Sequence, residues 1–310
     1  MAHYTKLQDH EIQSLAAQYR LGVISYQPIE QGAGNSNYLI KSRGGQYILT
    51  IFEIDRLKVL NMCKVLLRLE KRAFSAPRVR NLPNGDPLTN HHGKPVLVKP
   101  YINGEVVDDL DQGQLNQLGF TLAELHQISA PQGLPDQHGY MQKEVPQVLK
   151  KRSDHSFARW LAGRYRQLIR QIPNQLPTGL IHGDLFLDNV LFDSKKFKAF
   201  LDFEDVCHYH RAFDIGMAIV GLCRENKRIN LGKARSVVRG YQSSRLLEGP
   251  ERESLQMFTE FAAIVTSAWR FWKYNIDQTG TQKSNKYVEM VQVAKQIAAI
   301  PMSEFLEIVV

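Results

Sequence analysis

Cysteine is scarce in this chain, since only three of its 310 residues are cysteines: Cys63, Cys207 and Cys223. The count is odd and no two of them have the C-x-x-C spacing, which argues against a disulfide framework. The run from Cys207 to His210 carries groups that can bind metal, but it lacks the second spaced pair that a zinc site needs. We therefore expect reduced thiols, as in the cytoplasm, and a small core residue at Cys63.

Long hydrophobic runs are also absent. The longest apolar stretches are short, such as 261–265, and charged residues interrupt every region. None approaches the roughly 18 to 20 apolar residues that cross a bilayer. The first six residues are polar and lack the apolar core and cleavage site of a signal peptide. The sequence thus predicts a soluble, cytoplasmic protein without a membrane partner. We expect it to be a monomer or a homodimer.

Positive charge is in modest excess, because 39 Lys and Arg residues face 31 Asp and Glu residues, which gives a net charge of +8. Such an excess favours anionic ligands in general. The basic residues are scattered, however, and their densest groups, 150–152 and 195–196, are short. This distribution is typical of a solvated surface, so we expect no nucleic-acid partner.

The distribution of apolar residues changes near residue 100. Before it, short strand patterns dominate, with a Gly44-Gly45 turn between two of them and helical periodicity only near the start and at 57–70. The predicted strands are 23–26, 38–40, 47–52 and 95–98. After it, helical spacing dominates, interrupted by one β-like island at 190–192 and 197–201. The sequence predicts an α+β fold with an N-terminal lobe at 1–98, a connector at 99–104 and a C-terminal lobe at 105–310.

The island carries the most informative residues. Asn189 immediately precedes its first strand, and Asp202 immediately follows the second. If the strands form an antiparallel hairpin, its open end brings these two residues opposite each other, with Cα atoms roughly 4.5 to 5.5 Å apart. A carboxylate and an amide oxygen are hard ligands that suit Mg²⁺. The sequence therefore predicts a magnesium site formed by Asn189 and Asp202.

A carboxylate stands beside this predicted metal site. Asp184 lies five residues before Asn189 and could accept the proton of a hydroxyl nucleophile, while His182 would brace the same loop by hydrogen bonding. This is the chemistry of phosphoryl transfer, in which metal ions neutralise phosphate charge and a carboxylate orients the attacking alcohol. An isolated H-G-D triplet is common in turns, whereas D-x-x-x-x-N followed by a hairpin and D-F is much more specific. We predict catalytic roles for Asp184 and His182.

A second polar cluster occupies the run Gln31-Gly32-Ala33-Gly34-Asn35-Ser36-Asn37. A dinucleotide-binding glycine loop connects a strand to a helix, whereas this run connects a strand to a strand. It is therefore typical of a hairpin flap that closes over phosphates. We expect Gly32 and Gly34 to present backbone N–H groups and Asn35, Ser36 and Asn37 to offer polar contacts. An ordinary hairpin remains the alternative.

Together these motifs resemble the aminoglycoside phosphotransferase and protein-kinase-like superfamily, and in particular its type II homoserine kinases. The catalytic-loop motif at 184–192 is specific to the superfamily. Three N-terminal runs point to the homoserine kinase branch, namely Tyr4-Thr5, 34–38 and 47–53, and the similarity continues at 240–245 and 269–271. The resemblance therefore covers nearly the whole chain.

The resemblance implies a two-lobed protein-kinase-like fold, with a small antiparallel N-terminal lobe, a larger helical C-terminal lobe and ATP in the cleft. It implies that Asp184 is the base and that Asn189 and Asp202 hold Mg²⁺. The backbone at Lys99, Pro100 and Tyr101 would meet adenine. Asp214 would be a buried carboxylate that steadies the catalytic loop, although an Asp that caps the following helix is an equally compatible alternative.

The chain departs from the general kinase pattern in three ways. Thr50 stands where an ATP-binding Lys or Arg is usual, a substitution shared with the homoserine kinase branch. The helix at 57–70 offers no acidic residue before Glu70, so the usual Lys–Glu pair is missing. Glu204 replaces the Gly of the D-F-G triplet. Lys41 and Lys58 are candidate replacements for the phosphate-binding cation.

The acceptor implied by the resemblance is a small amino alcohol, with L-homoserine the preferred choice in a threonine-forming pathway. Its ammonium needs an acidic partner, for which Glu204 or Asp205 is available, and its carboxylate would suit the guanidinium of Arg270. Choline, ethanolamine, methylthioribose and aminoglycosides are alternative acceptors. For the quaternary ammonium of choline, the chain has enough aromatic residues to form a cation cage. A non-catalytic nucleotide-binding protein is the alternative from another class. His91 and His92 lie in a turn and are expected to be exposed.

Overall fold

The computed structural model describes residues 5–29 and 34–309. Its contacts divide the chain into two compact units. The first contains residues up to Gly104 together with Lys198–Glu204, and the second contains Glu105–Phe197 and Asp205–Val310. The short segment 198–204 thus belongs to the first unit, although the predicted C-terminal lobe at 105–310 included it.

An antiparallel sheet forms the first unit. Its strands are β1 (Val23–Ile29), β2 (Ser36–Ser42), β3 (Gly45–Ile51), β4 (Thr89–His91) and β5 (Lys94–Pro100). They are hydrogen-bonded in the order β1-β2-β3-β5-β4, and each neighbouring pair is antiparallel. Gly45 has a φ of +124°, which glycine adopts without steric cost, at the turn between β2 and β3. The predicted small antiparallel lobe and its Gly44-Gly45 turn are confirmed.

Two helices accompany this sheet. Helix α1 (Asp9–Gln18) begins where Gln8 N–H donates to Glu11 Oε2 at 2.7 Å, and α2 (Arg56–Lys71) begins where Asp55 accepts from Leu57 N–H. The apolar face of α1 shares one core with β2, β3 and β5, in which Ile12, Ile40 and Leu49 are fully buried. Burial of each such side chain contributes about 1.5–3 kcal/mol.

The segment 198–204 joins the first unit through Phe200. Its backbone N–H donates to the carbonyl oxygen of Ser75 at 3.1 Å, and its ring lies 6.2 Å from that of Phe74. Phe200 and Phe74 are both buried. A long-range contact therefore places Asp202 and Glu204, which follow Phe200, in the same unit as the polar flap residues.

The second unit is mostly helical. Its helices are α3 (Gln112–Gln127), α4 (Gly139–Gln142), α5 (Glu144–Lys151), α6 (Ser156–Ile169), α7 (Arg211–Leu222), α8 (Leu231–Gln242), α9 (Gly249–Trp272), α10 (Lys286–Ala299) and α11 (Met302–Leu306). The predicted helical character of this region is confirmed. Helix α9 starts earlier than the apolar pattern at 257–274 indicated, because Glu248 and Glu251 form a capping box and Pro250 lies in the first turn.

Helices α3 and α8 cross at unusually short range. A Cβ on Gly119 would lie 1.9 Å from the carbonyl oxygen of Val237, and a Cβ on Gly240 would lie 2.0 Å from that of Asn116. No real Cβ tolerates such distances, so glycine at both positions is a requirement of the crossing. The crossing brings His126 of α3 beside Tyr241 of α8.

Short strands interrupt the helices. They are β6 (Thr178–Ile181), β7 (Val190–Asp193), β8 (Lys196–Phe200), β9 (Cys207–His210), β10 (Arg224–Glu225) and β11 (Arg228–Ile229). β6 pairs antiparallel with β9, and β7 pairs with β8 across a two-residue connection, which confirms the predicted island. The order β6, loop, β7 and β8 places the H-G-D sequence directly at the carboxyl end of β6.

Among the residues that the structure describes, no helix combines the length and apolar character that crossing a membrane requires. The three cysteines are unpaired thiols and all are buried. Burial raises the pKa of the Cys63 thiol to about 12, partly offset by the charge of Lys99. Cys63 is therefore a core residue of α2, as predicted.

Candidate active site

The catalytic-loop residues lie between β6 and β7. His182, Gly183 and Asp184 follow β6, and a short 3₁₀ helix, Leu187–Asn189, leads into β7. Gly183 has a φ of +86°, and a Cβ there would lie 2.7 Å from the carbonyl oxygen of Asp205. Glycine is required because the loop passes this close to the backbone of the 205 segment.

Asp214 clamps the backbone of this loop. Its Oδ2 accepts from His182 N–H at 2.7 Å and its Oδ1 accepts from Gly183 N–H at 2.8 Å. Asp214 is fully buried within α7, where it is the fourth residue, so its carboxylate does not cap that helix. The helix-cap alternative is therefore wrong, because both carboxylate oxygens bind the preceding loop.

A buried histidine supports Asp214. Nε2 of His126 lies 3.0 Å from Asp214 Oδ2, and Nδ1 lies 2.8 Å from the hydroxyl of Tyr241. Burial alone would raise the pKa of Asp214, but the hydrogen bond and charge of His126 and the N–H of Gly183 lower it by more. The pKa of Asp214 consequently lies below its ordinary value, and the clamp remains ionised at neutral pH.

The same network continues through Tyr241 to two charged residues. The guanidinium of Arg245 donates to the Tyr241 hydroxyl at 3.2 Å and forms a two-pronged ion pair with Glu251 at 3.1 and 2.9 Å. The roles of His126 and Tyr241 were not predicted from the sequence. One signal was available for His126, a polar residue four positions after Leu122 on the buried face of an amphipathic helix.

Asp184 and Asn189 are brought together. Nδ2 of Asn189 donates to the Asp184 backbone oxygen at 2.8 Å and to Asp184 Oδ2 at 3.1 Å. Asp184 N–H in turn donates to Nδ1 of the buried His182 at 3.2 Å, which braces the loop from within. Because the Asn189 amide directs its nitrogen at Asp184, its oxygen faces away and is the atom suited to a hard cation.

Two further residues near Asp184 escaped sequence analysis. Nε2 of the buried His138 lies 2.9 Å from the carbonyl oxygen of Gly183, and the Tyr140 hydroxyl lies 3.4 Å from Asp184 Oδ1. The ring of Tyr140 stacks on Trp269 with centroids 5.8 Å apart. An aromatic surface thus adjoins the carboxylate predicted to be the base. His138 caps the short helix α4 and Tyr140 lies within it, and the local sequence carried no distinguishing pattern.

The flap residues are engaged within the first unit. Gly32 lies outside the described residues, and Gly34 is exposed in a bend. Asn35 accepts from Glu53 N–H at 3.2 Å through its amide oxygen and donates to the Glu204 carboxylate through its amide nitrogen. Ser36 Oγ accepts from Thr5 N–H at 2.7 Å. Both side chains therefore fix the base of the flap to neighbouring segments.

Asn37 and Thr50 face each other across β2 and β3. The Thr50 hydroxyl donates to the Asn37 amide oxygen at 2.8 Å, and Thr50 is only 2% exposed. The position that usually carries a cation thus holds a buried hydroxyl that is hydrogen-bonded to its neighbour. The predicted phosphate contacts of Gly34, Asn35, Ser36 and Asn37 stay predictions.

The three N-terminal runs that point to the homoserine kinase branch meet in one network. Thr5 Oγ1 donates to Glu53 Oε1 at 2.8 Å, and the Tyr38 hydroxyl donates to the Thr5 carbonyl at 2.9 Å. Lys94 Nζ lies 2.6 Å from Glu53 Oε2 and donates to Thr5 Oγ1. Burial would raise the pKa of Glu53, but Lys94 and Thr5 lower it by more. These runs therefore form a structural anchor for β2 beside the flap.

Asp202 and Glu204 belong to the first unit, whereas Asp205 belongs to the second. Asp202 is exposed with a φ of +53°, in the left-handed region that Asp tolerates better than most residues, and a 3₁₀ turn, Phe203–Asp205, follows. The predicted metal role of Asp202 with Asn189 and the predicted acceptor roles of Glu204 and Asp205 stay predictions.

The predicted adenine segment ends β5. Lys99 and Pro100 pair with Ile48 and Tyr47, and Tyr101 N–H donates to the Gln46 carbonyl oxygen at 2.9 Å, which extends the sheet ladder by one residue. Tyr101 is 39% exposed. Contact of this backbone with adenine stays a prediction.

Arg270 has a carboxylate partner in the second unit. Its guanidinium donates to Glu289 Oε2 at 2.8 Å and to the Lys286 carbonyl at 3.3 Å, and Arg224 also pairs with Glu289. Burial raises the pKa of Glu289, but the two arginines lower it by more. Binding a substrate carboxylate would therefore compete with Glu289, and this predicted role stays untested.

Comparison with known proteins places these features in a family. Residues 25–252 match the model of the phosphotransferase enzyme family, APH. A homoserine kinase of Phenylobacterium zucineum (strain HLK1) is 31% identical over 281 residues, which cover 85% of this chain and 85% of that protein.

Two solved structures share the fold. The amicoumacin kinase hAmiN, solved with AMP-PNP, Ca²⁺ and Ami, has a TM-score of 0.74 at 16% identity and covers 96% of this chain and 95% of its own. The microcompartment-associated aminopropanol kinase has a TM-score of 0.69 at 20% identity, covering 96% of this chain and 98% of its own. The predicted two-lobed protein-kinase-like α+β fold is confirmed. The chain therefore belongs to the phosphotransferase enzyme family and is an ATP-dependent phosphotransferase related to homoserine kinases.

Proposed function

We propose that this enzyme transfers the γ-phosphoryl group of ATP to the hydroxyl of L-homoserine, giving O-phospho-L-homoserine and ADP. The observation that carries the proposal is the pairing of Asp184 with Asn189 on a loop whose backbone Asp214 clamps. The homoserine kinase relative supports the choice of acceptor. So does the Thr5–Glu53 anchor, because the runs that distinguish this branch converge on it.

In this proposal Asp184 accepts the proton of the acceptor hydroxyl. Its carboxylate is half-buried and held by Asn189, and His182 fixes its backbone, so its orientation is set before substrate binds. A positioned base of this kind typically contributes 10²- to 10⁴-fold to the rate. A bound Mg²⁺ would neutralise charge on the phosphate oxygens, and Asn189 Oδ1 and Asp202 are the oxygen ligands offered for it.

Nucleotide binding is assigned to the first unit. The flap at 34–37 would cover the phosphates, and the backbone at 99–101 would contact adenine. Lys41 is a poor replacement for the missing cation, because it pairs with Gln46 five residues along β2 from Ser36, about 17 Å at 3.3 Å per residue. Lys58, half-buried in the first turn of α2, is the candidate that remains.

Acceptor binding is assigned to Glu204 or Asp205 for the ammonium and to Arg270 for the carboxylate. Glu204 already accepts from Asn35, so in this proposal the acceptor ammonium would exchange with a flap residue. Arg270 would share its guanidinium between Glu289 and substrate. These assignments rest on the chemistry of homoserine, which carries both charges on one small alcohol.

The stacked pair Tyr140 and Trp269 favours a second acceptor class. An aromatic face beside Asp184 would suit the ammonium of choline or ethanolamine, since cations bind aromatic faces. ADP release measured with homoserine, choline, ethanolamine, hydroxylysine, methylthioribose and aminoglycosides separates these candidates. Homoserine should give the highest kcat/KM, and no stimulation by homoserine would refute the acceptor while leaving the phosphotransferase activity standing.

A further inference from the structure

A carboxylate and two imidazoles meet at a point of the first unit that the proposed reaction does not use. Glu11 lies in α1, His91 ends β4, and His92 occupies the turn before β5. Oε1 of Glu11 lies 3.6 Å from Nε2 of His91 and 3.7 Å from Nε2 of His92. One ligand atom from each of the three residues falls within 4.8 Å of the other two.

The backbone holds these three groups in place. Glu11 Oε2 accepts from Gln8 N–H at 2.7 Å as part of the helix capping box, which leaves Oε1 directed at the histidines. His92 has a φ of +50°, and Asn90 Oδ1 accepts from Gly93 N–H at 2.8 Å across the turn. The carboxylate and the turn are thus each fixed by interactions other than their mutual contact.

The spacing suits a shared metal ion better than direct hydrogen bonds. Distances of 3.6 and 3.7 Å exceed the 2.7–3.2 Å usual for N–H···O bonds. Zinc–nitrogen and zinc–oxygen bonds near 2.1 Å at a tetrahedral angle place N and O about 3.4 Å apart. Octahedral geometry at the same bond lengths would place adjacent ligand atoms about 3.0 Å apart, which fits less well.

We propose that Glu11, His91 and His92 bind a divalent transition-metal ion of the zinc type, with water in the remaining position. Imidazole with one carboxylate suits zinc-type ions rather than Mg²⁺ or Ca²⁺, which prefer all-oxygen sites. The side chains of Glu11 and His91 are 21% and 11% exposed, while His92 is 80% exposed. The ion would enter from the His92 side.

Such an ion would link α1 to the β4–β5 turn. These elements are far apart in sequence, so a metal bound to both stabilises the folded first unit by mass action. The effect is independent of the proposed acceptor, since none of the three ligands takes part in phosphoryl transfer.

Zinc binding to full-length protein without a histidine tag tests the proposal, measured by competition with a chromogenic chelator in excess Mg²⁺. Loss of one ligand in Glu11→Gln or His92→Asn should weaken zinc binding at least tenfold. Even changes to residues that only hydrogen-bond to a metal ligand lower metal affinity about 10- to 100-fold. Gln preserves the capping box, and Asn tolerates a positive φ, so both variants retain their local structure. His10→Asn, the same change at an exposed neighbour in α1, is the matched control.

Thermal unfolding provides the second measurement. Zinc should raise the Tm of the wild type and of His10→Asn, and should leave the Tm of Glu11→Gln and His92→Asn unchanged. Wild-type affinity in both ligand variants would overturn the proposal, as would an equal loss in His10→Asn. If Glu11→Gln lowers the Tm without zinc, His92→Asn alone decides the outcome.

Discussion

Asp214 and His126 form a fully buried pair whose nearest side-chain atoms, Oδ2 and Nε2, lie 3.0 Å apart. The Asp214 carboxylate also accepts hydrogen bonds from the backbone N–H groups of residues 182 and 183, which directly precede the proposed base. The pair therefore links the catalytic loop to the packed helices α3, α7 and α8, and this link holds the loop backbone in place. Its properties can be tested separately from the chemistry of Asp184.

Replacement of the proposed base should remove turnover and preserve the fold. In Asp184→Asn we expect kcat to fall about 10²- to 10⁴-fold, because the side chain can no longer accept the acceptor's proton. Coupled ADP release measures kcat, and thermal unfolding checks the fold. Asp188→Asn makes the same change at an exposed position on the same loop and should retain wild-type kcat. Unchanged turnover in Asp184→Asn would exclude Asp184 as the base.

Replacement of the clamp should affect both stability and rate. Asp214→Asn weakens the hydrogen bond to His126 and offers one acceptor atom to two N–H donors, so we expect a loss of about 1–3 kcal/mol in the free energy of unfolding. The kcat should fall while KM for ATP changes little, because the loop rather than the flap is disturbed. Urea denaturation and steady-state kinetics measure both effects. Asp108→Asn, at an exposed site, should alter neither quantity.

The buried imidazole of His126 should make the free energy of unfolding depend on pH. Burial lowers the pKa of His126 below its ordinary value near 6.5, although Asp214 opposes this shift. A lowered folded pKa means that the unfolded chain binds the proton first, so stability is complete above about pH 6.5 and declines as the pH falls below it. The clamp carboxylate adds a further loss only in stronger acid, because its pKa is depressed from an ordinary value near 3.9.

Unfolding free energies at pH 5.5 and pH 8 measure this dependence. His126→Asn should reduce the difference by up to about 1.4 kcal/mol per pH unit, the contribution of one proton, while also lowering stability at both pH values. The half-buried His210, whose pKa partial burial also lowers, should maintain part of the dependence. An unaltered pH slope in His126→Asn would show that this histidine does not resist protonation.

Contact between the flap and the 202–204 segment should influence nucleotide binding. Asn35→Asp places a second carboxylate against Glu204, and the repulsion should raise KM for ATP about tenfold, equivalent to about 1.4 kcal/mol. Adding Glu204→Gln to the Asn35→Asp variant restores a donor–acceptor pair and should recover most of the loss. The double-mutant cycle isolates this pairwise term from other effects of each change. Additive effects in the cycle would show that the contact does not influence nucleotide binding.

Local patterns predicted most of the elements but few of the long-range partners. The strands at 47–52 and 95–98 and the helix at 57–70 were visible because alternation and helical spacing are properties of neighbouring residues. The Asp214–His126 pair joins residues 88 positions apart, and no local pattern encodes that contact. For the same reason Asp214 was equally compatible with a helix cap.

Polar residues were the least predictable part of the site. Arg270 was chosen for its guanidinium, yet its pairing with Glu289 depends on how α9 and α10 pack. The apolar stripe of α3 predicted the helix but not that His126 on it would reach the catalytic loop. The contact between Asp184 and Asn189 was predictable because the two residues are only five positions apart and Asn189 directly precedes a strand.

The helix crossing that delivers His126 provides the final prediction. Gly119→Ala would place a Cβ 1.9 Å from the Val237 carbonyl oxygen, so α3 and α8 must separate, and we expect a loss of about 1–3 kcal/mol or more in stability. Gly163→Ala is the matched control, because the same change lies within α6 with open space around it and should stabilise by about 0.5–1 kcal/mol. Because the separation moves His126 relative to Asp214, kcat should fall in Gly119→Ala and stay unchanged in Gly163→Ala. Equal stability and kcat in the two variants would show that the crossing does not position the clamp.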